Sequence, residues 1–149
     1  VTSISFYHLL HQPLNNALPK LLEKVYGAGL RAVIKLASNE RMGELDEALW
    51  TFNKHSFLPH GHMKNKFPDQ QPIYLTTGDD NPAKATVLIL VDNMTADDLD
   101  KYDRCLEIFD GSNQDAVIAA RARWKIYKEA GHELIYWQQT EQGGWGQKN

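Results

Sequence analysis

Residues 86–91, TVLILV, are almost wholly apolar. A run this short without alternation reads as a central strand covered on both faces, the habit of parallel sheets with helical crossovers. The flanking chain supplies those crossovers. Residues 3–9 (SISFYHL) are rich in β-formers; after His11-Gln12-Pro13, Leu14, Leu18, Leu21, Leu22 and Val25 recur at helical spacing until Gly27 or Gly29 closes the run. Residues 31–37 (RAVIKLA) form a second strand, and Ser38 or Asn39 caps a second helix reaching about Phe52. Strand–helix–strand–helix order with tight connections predicts parallel strands.

Downstream, residues 72–76 (PIYLT) read as a short strand, residues 78–82 (GDDNP) as a turn cluster, and residues 104–109 (RCLEIF) as another strand. Thr95 with Asp98, and Ser112 with Asp115, resemble capping boxes. The first opens a short helix and the second a long one over residues 114–130, closed by Gly131. Residues 132–138 (HELIYWQ) form a last strand. The irregular middle spans residues 53–71, and the tail from about residue 140 is expected to be flexible unless Trp145 docks. The expected architecture is a single α/β domain over residues 1–149, three-layered and Rossmann-like, with a mostly parallel sheet and helices on both faces.

A chain of 149 residues can bury a core without metal or disulfide. Its single cysteine, Cys105, excludes an intramolecular disulfide framework and fits a reducing cytosol. No apolar run approaches a membrane span, and no basic-then-apolar leader opens the sequence, so a cytoplasmic protein without a membrane partner is expected. A net charge of -3 and a pI near 6.1 argue against a general grip on DNA phosphates while leaving room for a local basic patch.

Catalytic chemistry is hard to find. Leu10-His11-Gln12-Pro13 follows the first strand, and Ala37-Ser38-Asn39 the second, without the glycines that let backbone N–H groups approach a phosphate. No cofactor is expected. His55, His60 and His62 are the candidate metal ligands, with His60 and His62 able to share one side of an extended segment. A fourth ligand is missing, so no metal is expected. A small metal-dependent enzyme built on these histidines is the rival reading. Asp79, Asp80, Asp97, Asp98 and Asp100 lie in turns or at a helix start, where capping and solvation explain them, and no nucleophile elbow occurs. No catalytic residue is assigned.

The long final helix carries the strongest signal. At about 100° per residue, Ile118, Ala119, Ala122, Ile126 and Ala130 share one face, which is expected to pack on the sheet. Arg121, Trp124 and Lys128 lie on another flank, with Val117 among them and Lys125 at the border. An indole among cations is a receptor for a peptide that carries both a carboxylate and an aromatic or aliphatic anchor. Two other arrangements fit the same spacing: Trp124 covering a loop or the tail, or Trp124 stacking on single-stranded nucleic acid. On the second helix, Met42, Leu45, Leu49 and Phe52 form the apolar stripe and Trp50 points away from it, with Phe57 and Leu58 following. These suit either a protein interface or a local satellite cluster.

Residues 45–52 (LDEALWTF), residues 56–60 (SFLPH), residues 107–110 (EIFD) and residues 120–127 (ARARWKIY) together resemble the bacterial DNA polymerase III chi subunit family, as do the opening Phe6-Tyr7-His8-Leu9 and the strand after Gly29. The resemblance covers essentially the whole chain. It implies a Rossmann-like fold without nucleotide hydrolysis and a non-catalytic adaptor role in DNA replication. One surface would bind the acidic C-terminal tail of single-stranded DNA-binding protein, through Arg121, Trp124 and Lys125. Trp124 stands where the family often has tyrosine, retaining a flat ring without the phenol hydroxyl. A second surface including Trp50 and Phe57 would meet the psi subunit, or a substitute partner such as a repair helicase. Direct contact with DNA is not expected.

Overall fold

The structure, a computed structural model, describes residues 2–51, 61–62, 71–142 and 144–148. Its elements in chain order are β1 Ser3–Leu9, α1 Leu14–Gly27, β2 Ala32–Lys35, α2 Asn39–Thr51, β3 Gly61–His62, β4 Ile73–Thr76, β5 Val87–Leu90, β6 Arg104–Asp110, α3 Gln114–Glu129, β7 Glu133–Gln139 and β8 Trp145–Lys148. Among the described residues the strands form one eight-stranded sheet in the order β3-β4-β2-β5-β6-β1-β7-β8. Every pairing is parallel except that of β7 with β8. The expected mostly parallel α/β architecture is therefore present, with α1 and α2 on one face and α3 on the other.

β5 is buried throughout, as its apolar run requires. Alternation along β1 and β6 divides the core. Leu9, Leu106 and Ile108 join α1 and α2, whereas Ile4, Phe6, Cys105 and Phe109 face α3. Ser38 caps α2 through the Arg41 N–H, and Gly29 and Gly131 take positive φ just after α1 and α3. Two capping expectations are corrected. Only a 3₁₀ turn, Leu99–Lys101, follows residue 95, without a side-chain cap. At α3 the cap is Asn113, which accepts from the Ala116 N–H, while Ser112 turns back to Asp110. The tail contributes β8, and Trp145 docks with its ring edge-on to Tyr7.

The face of α3 is the main correction. Ile118 and Ile126 are 57% and 62% exposed, and Ala122 and Ala130 also face solvent. The helix instead buries Ala116, Ala120, Arg123 and Tyr127. The cause lies on β6, where Glu107 points toward α3 and is 2% exposed. Arg123 Nε donates to both carboxylate oxygens at 2.8 and 3.0 Å, and the Tyr127 hydroxyl donates to one of them at 2.7 Å. A buried carboxylate must be paired and hydrogen-bonded, so the polar face turns inward. The small side chains of Ala116 and Ala120 allow the close approach.

Burial raises the Glu107 carboxyl above its ordinary pKa, while the Arg123 charge and the Tyr127 and Arg123 hydrogen bonds oppose that rise. Arg123→Met removes the charge and leaves Glu107 buried, with an expected loss of about 3–5 kcal/mol near neutral pH. Because the carboxyl of the variant would have its folded pKa raised further, stability is retained below the unfolded value and lost as pH rises through the folded one. Urea unfolding should therefore show a smaller deficit at about pH 5 than at about pH 8. An equal deficit at both would refute the charge argument.

Candidate functional site

Between α3 and the β1–β7–β8 end of the sheet lies a recess of about 360 Å³. Its walls are Phe6, Phe109, Val117, Ala120, Trp124 and Tyr136, and Arg121 and Lys148 complete its lining. Each side chain arrives by simple periodicity. Phe6 and Tyr136 are register partners on adjacent strands and face α3, while Val117, Ala120, Arg121 and Trp124 are presented by successive turns of the helix. Tyr136 and Lys148 are partners across the β7–β8 pair.

Trp124 is held by its edges. Its ring lies 5.2 Å from Phe6 and 6.0 Å from Tyr136, both in T-shaped contact. It is half-buried and supported by the core rather than projecting freely. Arg121 is exposed at the rim, as are Lys125 and Lys128 on the same helix. The structure thus brings Val117, Arg121 and Trp124 together in one recess, while Lys125 and Lys128 do not line it.

Sequence reasoning missed Phe6, His8, Phe109, Tyr136 and Lys148. The alternation in residues 133–139 would have placed Tyr136 opposite Trp137, had β7 been assigned its inner face. His8 stacks on Phe109 at 4.8 Å, and its Nδ1 shares a hydrogen bond with the Tyr136 hydroxyl. Gly111 makes this possible, because a β-carbon there would lie 2.3 Å from the His8 ring and from the Leu9 carbonyl. Burial pushes the His8 pKa below 6.5, and the Arg121 charge pushes it the same way. Burial raises the Tyr136 hydroxyl, against the opposing influence of Arg121. Both shifts favour the uncharged forms of the imidazole and the phenol, and Arg121 and Lys148 supply the cations of the recess lining.

At the carboxyl ends of the strands is a crevice of about 450 Å³, where doubly wound proteins often bind ligands. The backbone N–H groups of Leu10, His11 and Gln12, which follow β1, all donate to the Gln139 Oε1 at 2.9–3.0 Å. They are committed within the protein. Among the described residues no group of three or more His, Cys, Asp and Glu side chains could hold a metal, and no helix is long and apolar enough to cross a membrane. His55, His60, Phe57 and Leu58 lie outside the described residues; the side chains of His62 and Trp50 do as well.

The chain is a doubly wound α/β protein whose β1 loop is satisfied from within and which has a ring-lined, cation-edged recess on one face. Comparison with known proteins then places it. The chain belongs to the DNA polymerase III chi subunit family, since the model described as "DNA polymerase III chi subunit, HolC" matches residues 1–135. It is similar to the probable DNA polymerase III subunit chi of Rickettsia prowazekii (strain Madrid E), 33% identical over 87 residues, which are 58% of this chain and 53% of that protein. The matched stretch thus spans about half of the relative's length. It is also 25% identical over 116 residues to the DNA polymerase III subunit chi of Pseudomonas aeruginosa PAO1, covering 77% of this chain and 79% of that one. The family forms an accessory subunit of a polymerase complex acting in DNA replication.

An NMR titration of the His8 ring is expected to show a midpoint below 6.5, moving upward in Arg121→Ala. Stability linked to this lowered pKa is present above the unfolded pKa and is lost as pH falls through the folded value. A midpoint unmoved by the Arg121 substitution would contradict the coupling.

Proposed function

We propose that this chain is a non-catalytic adaptor that binds the acidic C-terminal tail of single-stranded DNA-binding protein and links it to the clamp loader through the psi subunit or a substitute partner. The recess beside Trp124 supports the first half of that reading. Its apolar walls suit a terminal aromatic ring, and Arg121 and Lys148 in the same lining offer cations to the adjoining carboxylates. Lys125 and Lys128, exposed on the same helix, add longer-range attraction. Family membership supports the second half, with Trp50, Phe57 and Leu58 as the residues for the other partner.

Such a contact is small, so its affinity is modest and its electrostatic part falls with salt. An oligomeric DNA-binding protein presents several tails at once. Linked weak contacts then sum to strong but exchangeable attachment. The role asks nothing of bond chemistry; it asks for a rigid recess and a mobile ligand.

The test is a titration with a synthetic acidic peptide ending in Pro-Phe, followed by tryptophan fluorescence. Arg121→Ala, Trp124→Ala and a peptide lacking the terminal Phe are each expected to weaken binding by about tenfold or more. Trp50→Ala should leave this affinity unchanged. No saturation at about 500 µM peptide with folded protein would remove the tail-receptor reading.

A further inference from the structure

The same end of the sheet has a second ring-lined surface, on its opposite face. Tyr7, on β1, is the register partner of Trp137 on β7, and their rings lie 6.4 Å apart within 12° of parallel. Trp145 meets Tyr7 edge-on at 4.9 Å. These rings open into a recess of about 290 Å³ that α1 borders with Lys20 and Lys24. The recess adjoins another of about 180 Å³ along β1, the two sharing Tyr7, Leu21 and Lys24, and Arg104 lies in the second. All three cations are exposed, and the rings are only half-buried.

The arrangement is a trough. From Ser3 to Tyr7 it follows β1 for about 13 Å at the usual strand rise. Lys20 and Lys24 stand one helical turn apart on one side, and Arg104 is near the Ser3 end, its strand position being paired with Ser3. Cations spaced along a row of π-faces match a ligand in which anions and planar rings repeat. A single peptide carboxylate with one aromatic anchor would instead favour one slot with a bidentate arginine beside it, the arrangement on the α3 face. Glu133, paired in register with Ser3, limits the favourable run to a few nucleotides.

We propose that this trough binds single-stranded nucleic acid weakly, with bases against Tyr7, Trp137 and Trp145 and phosphates near Lys20, Lys24 and Arg104. This departs from the expectation of no direct DNA contact, and it does not rest on the tail-receptor reading. The net charge of -3 opposes the contact beyond the trough, which keeps it weak and dependent on low salt or on tethering. Carried on the face opposite the α3 recess, it would let one subunit touch a partner protein and an exposed strand together.

Binding is measured by anisotropy of a labelled thymidine oligomer of about 15 nucleotides with the full chain, beginning at about 20 mM salt. Neutralising three phosphates on a single strand predicts a slope of about −2 in log K against log salt. Lys20→Glu combined with Lys24→Glu should weaken binding by roughly tenfold or more, and Trp145→Ala by about tenfold. Lys84→Glu with Lys101→Glu, which changes net charge equally away from the trough, should have a much smaller effect. No binding at about 20 mM salt, or equal loss in the two lysine pairs, would overturn the proposal. Loss with Arg121→Ala as large as with the Lys20 and Lys24 pair would move the oligomer to the α3 face and overturn it as well. Loss of acidic-peptide binding in that lysine pair, with oligomer binding intact, would make the trough a peptide site instead.

Discussion

Glu107 lies in the middle of a buried strand, and α3 has to answer it. A carboxylate at that depth without a partner would cost several kcal/mol, whereas burying the exposed parts of Ile118 and Ile126 together would gain about 2–4 kcal/mol and would expose Tyr127 in return. Rolling the helix to hide Ile118 and Ile126 would therefore exchange a modest apolar gain for a stranded charge. It would also withdraw Arg123 and Tyr127 from their hydrogen bonds and lift Trp124 from Phe6. The ion pair sets the rotation of α3, and that rotation places Val117, Arg121 and Trp124 over the recess.

The fold was legible because its signals are local and redundant. The apolar run of β5, the leucine spacing of α1 and the glycine after each of α1 and α3 each specify an element without distant information. The face of α3 was not legible in this way. Its strongest apolar stripe contains Ile118, Ala122 and Ile126, so hydrophobic periodicity chose the wrong side. The partner that reverses the choice, Glu107, lies on another element, and no pattern within the helix reveals it. The site was half legible for the same reason: Arg121 and Trp124 stood out as a pair on one helix, but Phe6, His8, Phe109 and Tyr136 join them only through strand pairing. Lys148 belonged to a tail whose docking depended on Trp145.

The period-two alternation of strands has a larger consequence at this end of the sheet. Successive residues Phe6 and Tyr7 point to opposite faces, and so do Tyr136 and Trp137. Two neighbouring aromatic pairs in sequence thus become two separate ring-lined surfaces in space, each bordered by a helix carrying cations. Neither surface needs the other to move. A side-chain change on one face can therefore alter one surface with little disturbance of the other, which a site built on a shared loop would not allow.

Gln139 occupies the turn at the strand ends where many doubly wound proteins receive an anion. After β1 the chain turns with successive N–H groups converging, the arrangement that elsewhere receives an anion. Here one buried amide oxygen from β7 accepts from Leu10, His11 and Gln12 together. Backbone donors in such a turn need an acceptor, whether supplied by a ligand or by the protein. Supplying it internally makes the turn independent of any ligand and joins β7 to the β1–α1 connection. The same contact anchors the strand that carries Tyr136 on one face and Trp137 on the other. The sheet thereby becomes a rigid support for the ring-lined surfaces at its flank.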